Sequence, residues 1–186
     1  VRGLIAITEE RNDSDFVELW FDKNLISDGF FWKIPRGESV EYGMLSMDAK
    51  FQDLEKFFRL KSYKKRAGLI PIGLQKTYFP RTLLVGDAAS QVKPWSGGGI
   101  IYGLTCAGIA SDVIKKTFEE KNFSEEFLSQ YETRWRKEIG KNIALGLMFR
   151  EFYKDLNSED LEKFFKGLKR KSLDELDMDF PVGVIS

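Results

Sequence analysis

Three consecutive glycines, Gly97-Gly98-Gly99, set directly before a long helical pattern constrain this chain more than any other feature. Glycines at a helix start leave backbone N–H groups uncovered and let a flat or anionic group approach the main chain. The helix dipole favours negative charge at the same point. Upstream, Leu83-Leu84-Val85 is a short apolar run of the kind that fills a buried strand. Gly86-Asp87 closes that strand and places a carboxylate at its carboxyl end, where open α/β sheets put their ligands. A connection through Lys93-Pro94 leads to the glycines, so Leu83 to Leu104 offers an acceptor, an N–H cradle and a dipole facing one crevice. The competing reading is a strand–turn–helix whose glycines serve packing alone.

Read as one string, Gly86-Asp87-Ala88-Ala89 through Val92-Lys93-Pro94 and Ser96-Gly97-Gly98-Gly99-Ile100 to Gly103-Leu104 closely resembles the second flavin motif of FAD-dependent monooxygenase-like flavoproteins. Within that group it is most similar to the geranylgeranyl reductase family, which saturates isoprenoid double bonds in archaeal lipids and chlorophyll side chains. The resemblance implies FAD as cofactor. It implies that Gly86, Asp87 and Ala88 contact the ribityl and pyrophosphate region, and that Pro94, Gly97, Gly98, Gly99 and Ile100 lie beside the flavin ring.

A second stretch, Leu25 to Pro35, resembles the family's substrate-site signature Pro-x-x-Tyr-x-Trp-x-Phe-Pro. Trp32 and Pro35 match it; Ser27 stands at the first Pro, Phe30 replaces Tyr, and Ile34 replaces Phe. The exchange of Tyr for Phe30 removes a hydroxyl, a hydrogen-bond or proton donor. The resemblance implies that Phe30, Trp32 and Pro35 line a substrate channel suited to an isoprenoid chain, which binds by apolar contact. A hairpin strand packing its aromatics into a core reads the same residues equally well.

Composition narrows the remaining chemistry. The 186 residues carry 29 basic and 29 acidic side chains, so no global field points to nucleic acid. There is no histidine, which removes the commonest zinc ligand and the usual neutral-pH base, and no metal site is expected. The single cysteine, Cys106, admits no intrachain disulfide, fits a reducing cytoplasm and reads as a small buried residue in preference to a redox partner. Catalysis would have to come from a cofactor, or from carboxylates and lysines. No run of about 18 apolar residues spans a bilayer. The 16 phenylalanines suit a greasy cavity or a surface meant to be covered.

Along the chain, residues 1–46 read as an antiparallel meander with strands near Val1–Ile7, Phe16–Phe21, Phe30–Ile34 and Ser39–Leu45. Asp48 is expected to open a helix from Ala49 to about Leu60, with Phe51, Leu54, Phe57 and Phe58 on one face. Lys61, Lys64, Lys65 and Arg66 then read as the solvated basic end of that helix in preference to a binding patch. Helices are expected from Ile100 to about Phe118, from Ser124, and from Ser158 to near Gly167, with Gly140 and Gly146 as bends. Ser172-Leu173-Asp174-Glu175 is a capping-box pattern for a last short helix.

The expected fold is α/β or α+β: an antiparallel sheet, a parallel-type strand–loop–helix and a helical tail. Three regions follow, a β-rich substrate-domain portion at 1–80, the FAD-binding segment at 81–120 and a helical region at 121–186. A Gly-x-Gly-x-x-Gly turn for the ADP part of FAD is absent. The chain therefore reads as a C-terminal portion lacking the N-terminal Rossmann half, which would be its partner, and alone it is expected to be inactive. The leading expectation is an oxidoreductase reducing isoprenoid double bonds of a lipid, cytoplasmic or peripheral to the membrane. The alternatives are a flavin hydroxylase, an electron-transfer flavoprotein relative, or a cofactor-free interaction or lipid-binding fragment.

Overall fold

In the computed structural model, which describes residues 1–167, the N-terminal region folds into a five-stranded antiparallel sheet. Its strands are β1 (Arg2–Thr8), β2 (Glu18–Trp20), β3 (Phe30–Pro35), β4 (Val40–Ser46) and β5 (Lys64–Leu69), in the order β2-β3-β4-β1-β5. The meander is real for β2, β3 and β4, but β1 returns to pair with β4 on one side and β5 on the other. Alternation sorts the side chains. Leu4, Ala6, Phe31, Tyr42 and Met44 fill one face, where helix α1 (Phe51–Phe58) packs Phe51, Leu54, Phe57 and Phe58 upon them. Phe31 and Phe57 stack with ring centroids 4.1 Å apart. The opposite face carries Ile5, Ile7, Trp32 and Ile34, all half-buried, and the exposed Leu19.

Two details of this region differ from the sequence reading. Asp48 does not cap α1: Lys50 occupies the N-cap with extended φ −131° and no side-chain cap bond. The Asp48 N–H is instead taken by the hydroxyl of Ser46, which fixes the turn ahead of the helix. The basic run Lys64-Lys65-Arg66 is not a helix end but the exposed edge strand β5. Arg59, at φ 57°, terminates the helix early and turns the chain back to the sheet. Cations on an edge strand discourage pairing with a foreign strand, which local helical propensity could not foretell.

The remaining elements are a two-stranded ribbon, β6 (Tyr78–Phe79) with β7 (Thr82–Leu83), and the helices α2 (Ile100–Glu119), α3 (Glu125–Trp135), α4 (Lys141–Asp155) and α5 (Ser158–Gly167). The chain is thus a mixed α/β fold with an antiparallel sheet, and it divides into two compact units. One unit contains Val1–Ile70 with Phe152–Phe164; the other contains Pro71–Glu151 with residues 165–167. In the second unit Tyr102, Cys106, Ala110 and Val113 of α2 pack on Leu128, Tyr131 and Trp135 of α3. Ser124 caps α3 as expected, its Oγ accepting from the Phe127 N–H at 3.2 Å. A π-helical turn at Arg136–Gly140 joins α3 to α4, so Gly140 does mark an irregularity. Gly146 has another purpose: a Cβ there would lie 2.8 Å from Cδ of Pro94, so α4 approaches that proline through a glycine.

The run Leu83-Leu84-Val85 corrects the expectation of a buried parallel-type strand. Only Thr82–Leu83 is strand, it pairs antiparallel with β6, and all three apolar residues stay half-buried. The Leu84 N–H donates to the Thr77 carbonyl at 2.8 Å, so this segment is satisfied by its own ribbon and by α3. The capping-box pattern at Ser172–Glu175 lies outside the described residues.

Candidate functional site

In the second unit the chain leaves β7 and turns at Gly86. Gly86 has φ +67°, a conformation glycine adopts without strain, and Gly86–Ala89 form one 3-10 turn. Ser90 closes the turn in the left-handed region at φ 54°, donating its N–H to the Asp87 carbonyl at 2.9 Å. A buried side chain holds the turn from within. Gln91 Oε1 accepts from the Gly86 N–H at 2.8 Å, and Gln91 Nε2 donates to the Tyr131 hydroxyl at 2.9 Å. Tyr131 in turn donates to the Leu84 carbonyl at 2.9 Å. Burial pushes the Tyr131 phenol up to about 12, so it stays a protonated donor at every physiological pH.

Helix α3 also grips the approach to the turn. Trp135 Nε1 donates to Thr77 Oγ1 at 2.8 Å, and the Thr77 N–H donates to Glu132 Oε2 at 2.8 Å. Arg136 pairs with the other oxygen of Glu132 at 2.9 Å. The sequence reading missed Gln91, Tyr131 and Thr77 as positioning residues. Their one legible signal was a polar Gln91 beside the apolar Val92, a buried amide that must find partners.

Beyond the turn, Lys93 to Gly98 close on themselves. The Lys93 N–H donates to the Gly98 carbonyl at 2.8 Å, and the Gly97 N–H to the Lys93 carbonyl at 2.9 Å. Gly97 requires its φ of +72° for this closure. Its N–H is consequently spent inside the loop, which moves the free donors toward the first turn of α2. The first-turn N–H groups of a helix have no intrahelical acceptor, and the N-cap residue Gly99 supplies no side-chain cap. Ile100, at 79 % exposure, leaves that helix end open.

Asp87 and Ala88 are exposed, whereas Pro94 is buried against Gly146. A Cβ at Gly98 would come within 2.9 Å of Cε of Lys93; one at Gly99 would come within 2.8 Å of Oδ1 of Asp87. The structure therefore brings Gly86, Asp87, Gly97, Gly98, Gly99 and Ile100 together around one helix N-terminus. It offers a carboxylate acceptor and uncapped N–H donors side by side. These suit hydroxyls and an anionic or electron-rich group, respectively. The residues fit the diphosphate-linked, flat cofactor that the motif implies.

The second candidate stretch lies in the first unit, on β3. Phe30 and Trp32 share one parity and so one sheet face, while Pro35 has the other parity and ends the strand opposite Val40. Trp32 packs against Gly43, where any Cβ would overlap its indole, and its Nε1 donates to Glu41 Oε1 at 3.0 Å. Phe30 is buried, with Phe21 and Trp32 rings at 5.7 and 5.8 Å. Phe30 thus behaves as core, and Trp32 as a half-exposed wall. A lone glycine in the middle of β4 was the available signal of close approach.

Cys106 is fully buried, and burial alone raises its thiol to about 12. It is a packing residue with no thiolate chemistry. No helix among the described residues is long and apolar enough to cross a membrane.

No protein-family model matches the chain. Curated proteins do. Digeranylgeranylglycerophospholipid reductase 2 of Methanothermobacter thermautotrophicus is 34 % identical over 179 residues, 88 % of this chain and 46 % of that protein. The digeranylgeranylglycerophospholipid reductases of Methanococcus vannielii and Methanocaldococcus jannaschii are 32 % and 30 % identical over 181 residues, each covering 89 % of this chain and 46 % of the relative. The chain thus spans about half the length of the relatives it matches. Among solved structures, a geranylgeranyl bacteriochlorophyll reductase-like protein from Thermoplasma acidophilum superposes with a TM-score of 0.75 at 21 % identity. That match covers 87 % of this chain and 45 % of the other, and it bears out the fold. The resemblance read from the glycine-rich string holds across most of the chain.

Proposed function

From this kinship with the geranylgeranyl reductases, we infer that the chain is part of a flavin-dependent oxidoreductase that saturates isoprenoid double bonds of a lipid. The observation that carries the reading is the convergence of the Gly86–Ala89 turn and the open N-terminus of α2 at the Asp87–Gly99 junction. Bound FAD would supply the hydride and take up charge on its ring as it is reduced.

Each part of the site has a role in that chemistry. Asp87, exposed at the turn, accepts hydrogen bonds from hydroxyls of the ribityl chain. The first turn of α2, uncapped and positive by its dipole, stabilises negative charge beside it. Gln91 and Tyr131 keep the Gly86 turn fixed, so those donors and acceptors stand ready without reorganisation. On the sheet of the first unit, Trp32 and the half-buried Ile5, Ile7 and Ile34 present an apolar surface that suits a prenyl chain. A lipid substrate also agrees with a peripheral contact at a membrane.

A packing-only role for the glycines is the second reading. It is favoured by the way Lys93 and Asp87 fill the spaces over Gly98 and Gly99. One experiment separates the two. The polypeptide carrying this chain is supplied with FAD, a chemical reductant and a digeranylgeranyl lipid, and the lipid is weighed by mass spectrometry. Gain of two hydrogens per double bond, together with bound flavin, is expected. Absence of both leaves only packing.

A further inference from the structure

We propose that the edge strand β5 carries the anchor for the phosphate of an amphiphilic prenyl lipid, with Arg66 as the binding group and Lys64 beside it. The inference rests on the prenyl-lipid reading above and adds where the charged end of that lipid lies. Cross-strand register supplies the argument. Arg66 on β5 is opposite Ile5 on β1, Ile5 is opposite Gly43 on β4, Gly43 is opposite Trp32 on β3, and Trp32 is opposite Leu19 on β2. Opposed residues share a face, so these five form one row straight across the sheet.

The row begins with a cation and continues as apolar surface. With strands about 4.8 Å apart, Trp32 stands ~14 Å and Leu19 ~19 Å from the Arg66 position, room for several isoprene units laid perpendicular to the strands. The neighbouring row also begins with a cation, Lys64 opposite Ile7, but then carries Glu41, which stands between Ile7 and Ile34. This is the face that α1 does not cover; along the row Ile5 and Trp32 are half-buried and Leu19 is exposed, while Phe30 and Leu45 in the next row are buried.

The cations of β5 divide by face. Lys65 points to the α1 side, where it meets Glu55 at 3.5 Å and lies over the Tyr63 and Phe51 rings. Lys64 has only an exposed pairing with Glu9 at 3.2 Å, a contact of little strength. Arg66 has no carboxylate partner among the described residues. The nearest acid along the open face, Glu41, is already engaged by Trp32 Nε1 at 3.0 Å and by Arg36 at 3.2 Å. A planar guanidinium binds phosphate oxygens in a two-pronged arrangement. Protection of a sheet edge would be served by cations of either parity. An amphiphile accounts for an arginine without a carboxylate partner set in register with an apolar row.

The test uses the full chain with geranylgeranyl monophosphate and with geranylgeraniol, followed by tryptophan fluorescence at low ionic strength. The phosphate is expected to bind about tenfold tighter than the alcohol, and added salt should erode the difference. Arg66→Gln should reduce the phosphate's affinity to that of the alcohol and leave the alcohol unchanged. Arg66→Lys should keep part of the preference, and Lys115→Gln, an exposed cation on α2, should keep all of it. Equal binding of the two by the native chain, or a preference that survives Arg66→Gln, overturns the anchor while the prenyl reading stands. Full displacement of the prenyl phosphate by inorganic phosphate overturns it too, since the site would then hold a free anion. If neither amphiphile binds the native chain, the prenyl reading fails and takes the anchor with it.

Discussion

The carboxylate of Asp87 occupies the space that a side chain at Gly99 would need. A Cβ on Gly99 would sit 2.8 Å from Oδ1 of Asp87 and 2.9 Å from Cγ1 of Val92. The acceptor on the turn and the uncapped start of α2 are thereby held against each other, and the glycine is what permits it.

Gly99→Ala should cost about 1–3 kcal/mol, the usual effect of forcing a methyl into a filled space. Asp87→Ala should relieve part of that cost. Urea midpoints of the two single variants and the double variant give the coupling, expected at about 0.5–3 kcal/mol. Strict additivity would show that the two residues do not press on each other.

Asp87→Ala should weaken FAD binding by roughly ten- to a hundredfold, the worth of a hydrogen bond to a charged acceptor. Because Asp87 is exposed, the stability of the flavin-free protein should change little. Flavin fluorescence titration and urea melts read the two effects separately. Unchanged affinity with lost stability would assign Asp87 to the turn alone.

Trp32 and Trp135 should respond differently to truncation. Trp135 is fully buried and bonded to Thr77, so Trp135→Ala should cost ~3–5 kcal/mol. Trp32 is only half-buried, and Trp32→Ala should cost visibly less while weakening prenyl binding more. Denaturation midpoints set beside geranylgeraniol affinity decide it; equal losses of stability in the two variants would place Trp32 in the core.

Gly29→Ala should prevent folding of the first unit or destabilise it by at least ~3 kcal/mol, because any Cβ there overlaps the Leu45 carbonyl. Loss of soluble expression or of cooperative unfolding is the expected readout.

Stability should fall as the pH rises above 9. Burial lifts the Cys106 thiol from 9.0 to about 12, so in that window the unfolded chain holds fewer protons than the folded one. Tyr131, lifted from 10.0 to about 12 chiefly by burial, acts in the same direction above pH 10. In Cys106→Ala the slope of stability against pH between 9 and 12 should be shallower than in the native chain. At pH 8 the folded protein should resist iodoacetamide, and urea should make the thiol reactive.

The sequence alone determined the features that local spacing encodes. Period-two runs placed β3 and β4 nearly to the residue, and helical periodicity placed α2. Ser124 announced its cap, and the glycine-rich string announced a resemblance that the relatives bear out. These are short-range matters, fixed by dihedral preference and by which face of an element is apolar.

Tertiary structure decided what depended on distant partners. Lys64 to Arg66 became an edge strand because β1 offered a free side to pair with, a choice no neighbouring residue records. Leu83 to Val85 remained a short ribbon because α3 satisfied its approach at Thr77 through Glu132 and Trp135, which lie 55 and 58 positions beyond that threonine. The face on which Arg66 joins Ile5 and Trp32 exists only once three separate pairings fix the register. A shift of one residue in any one of them would put the arginine and the tryptophan on opposite sides of the sheet.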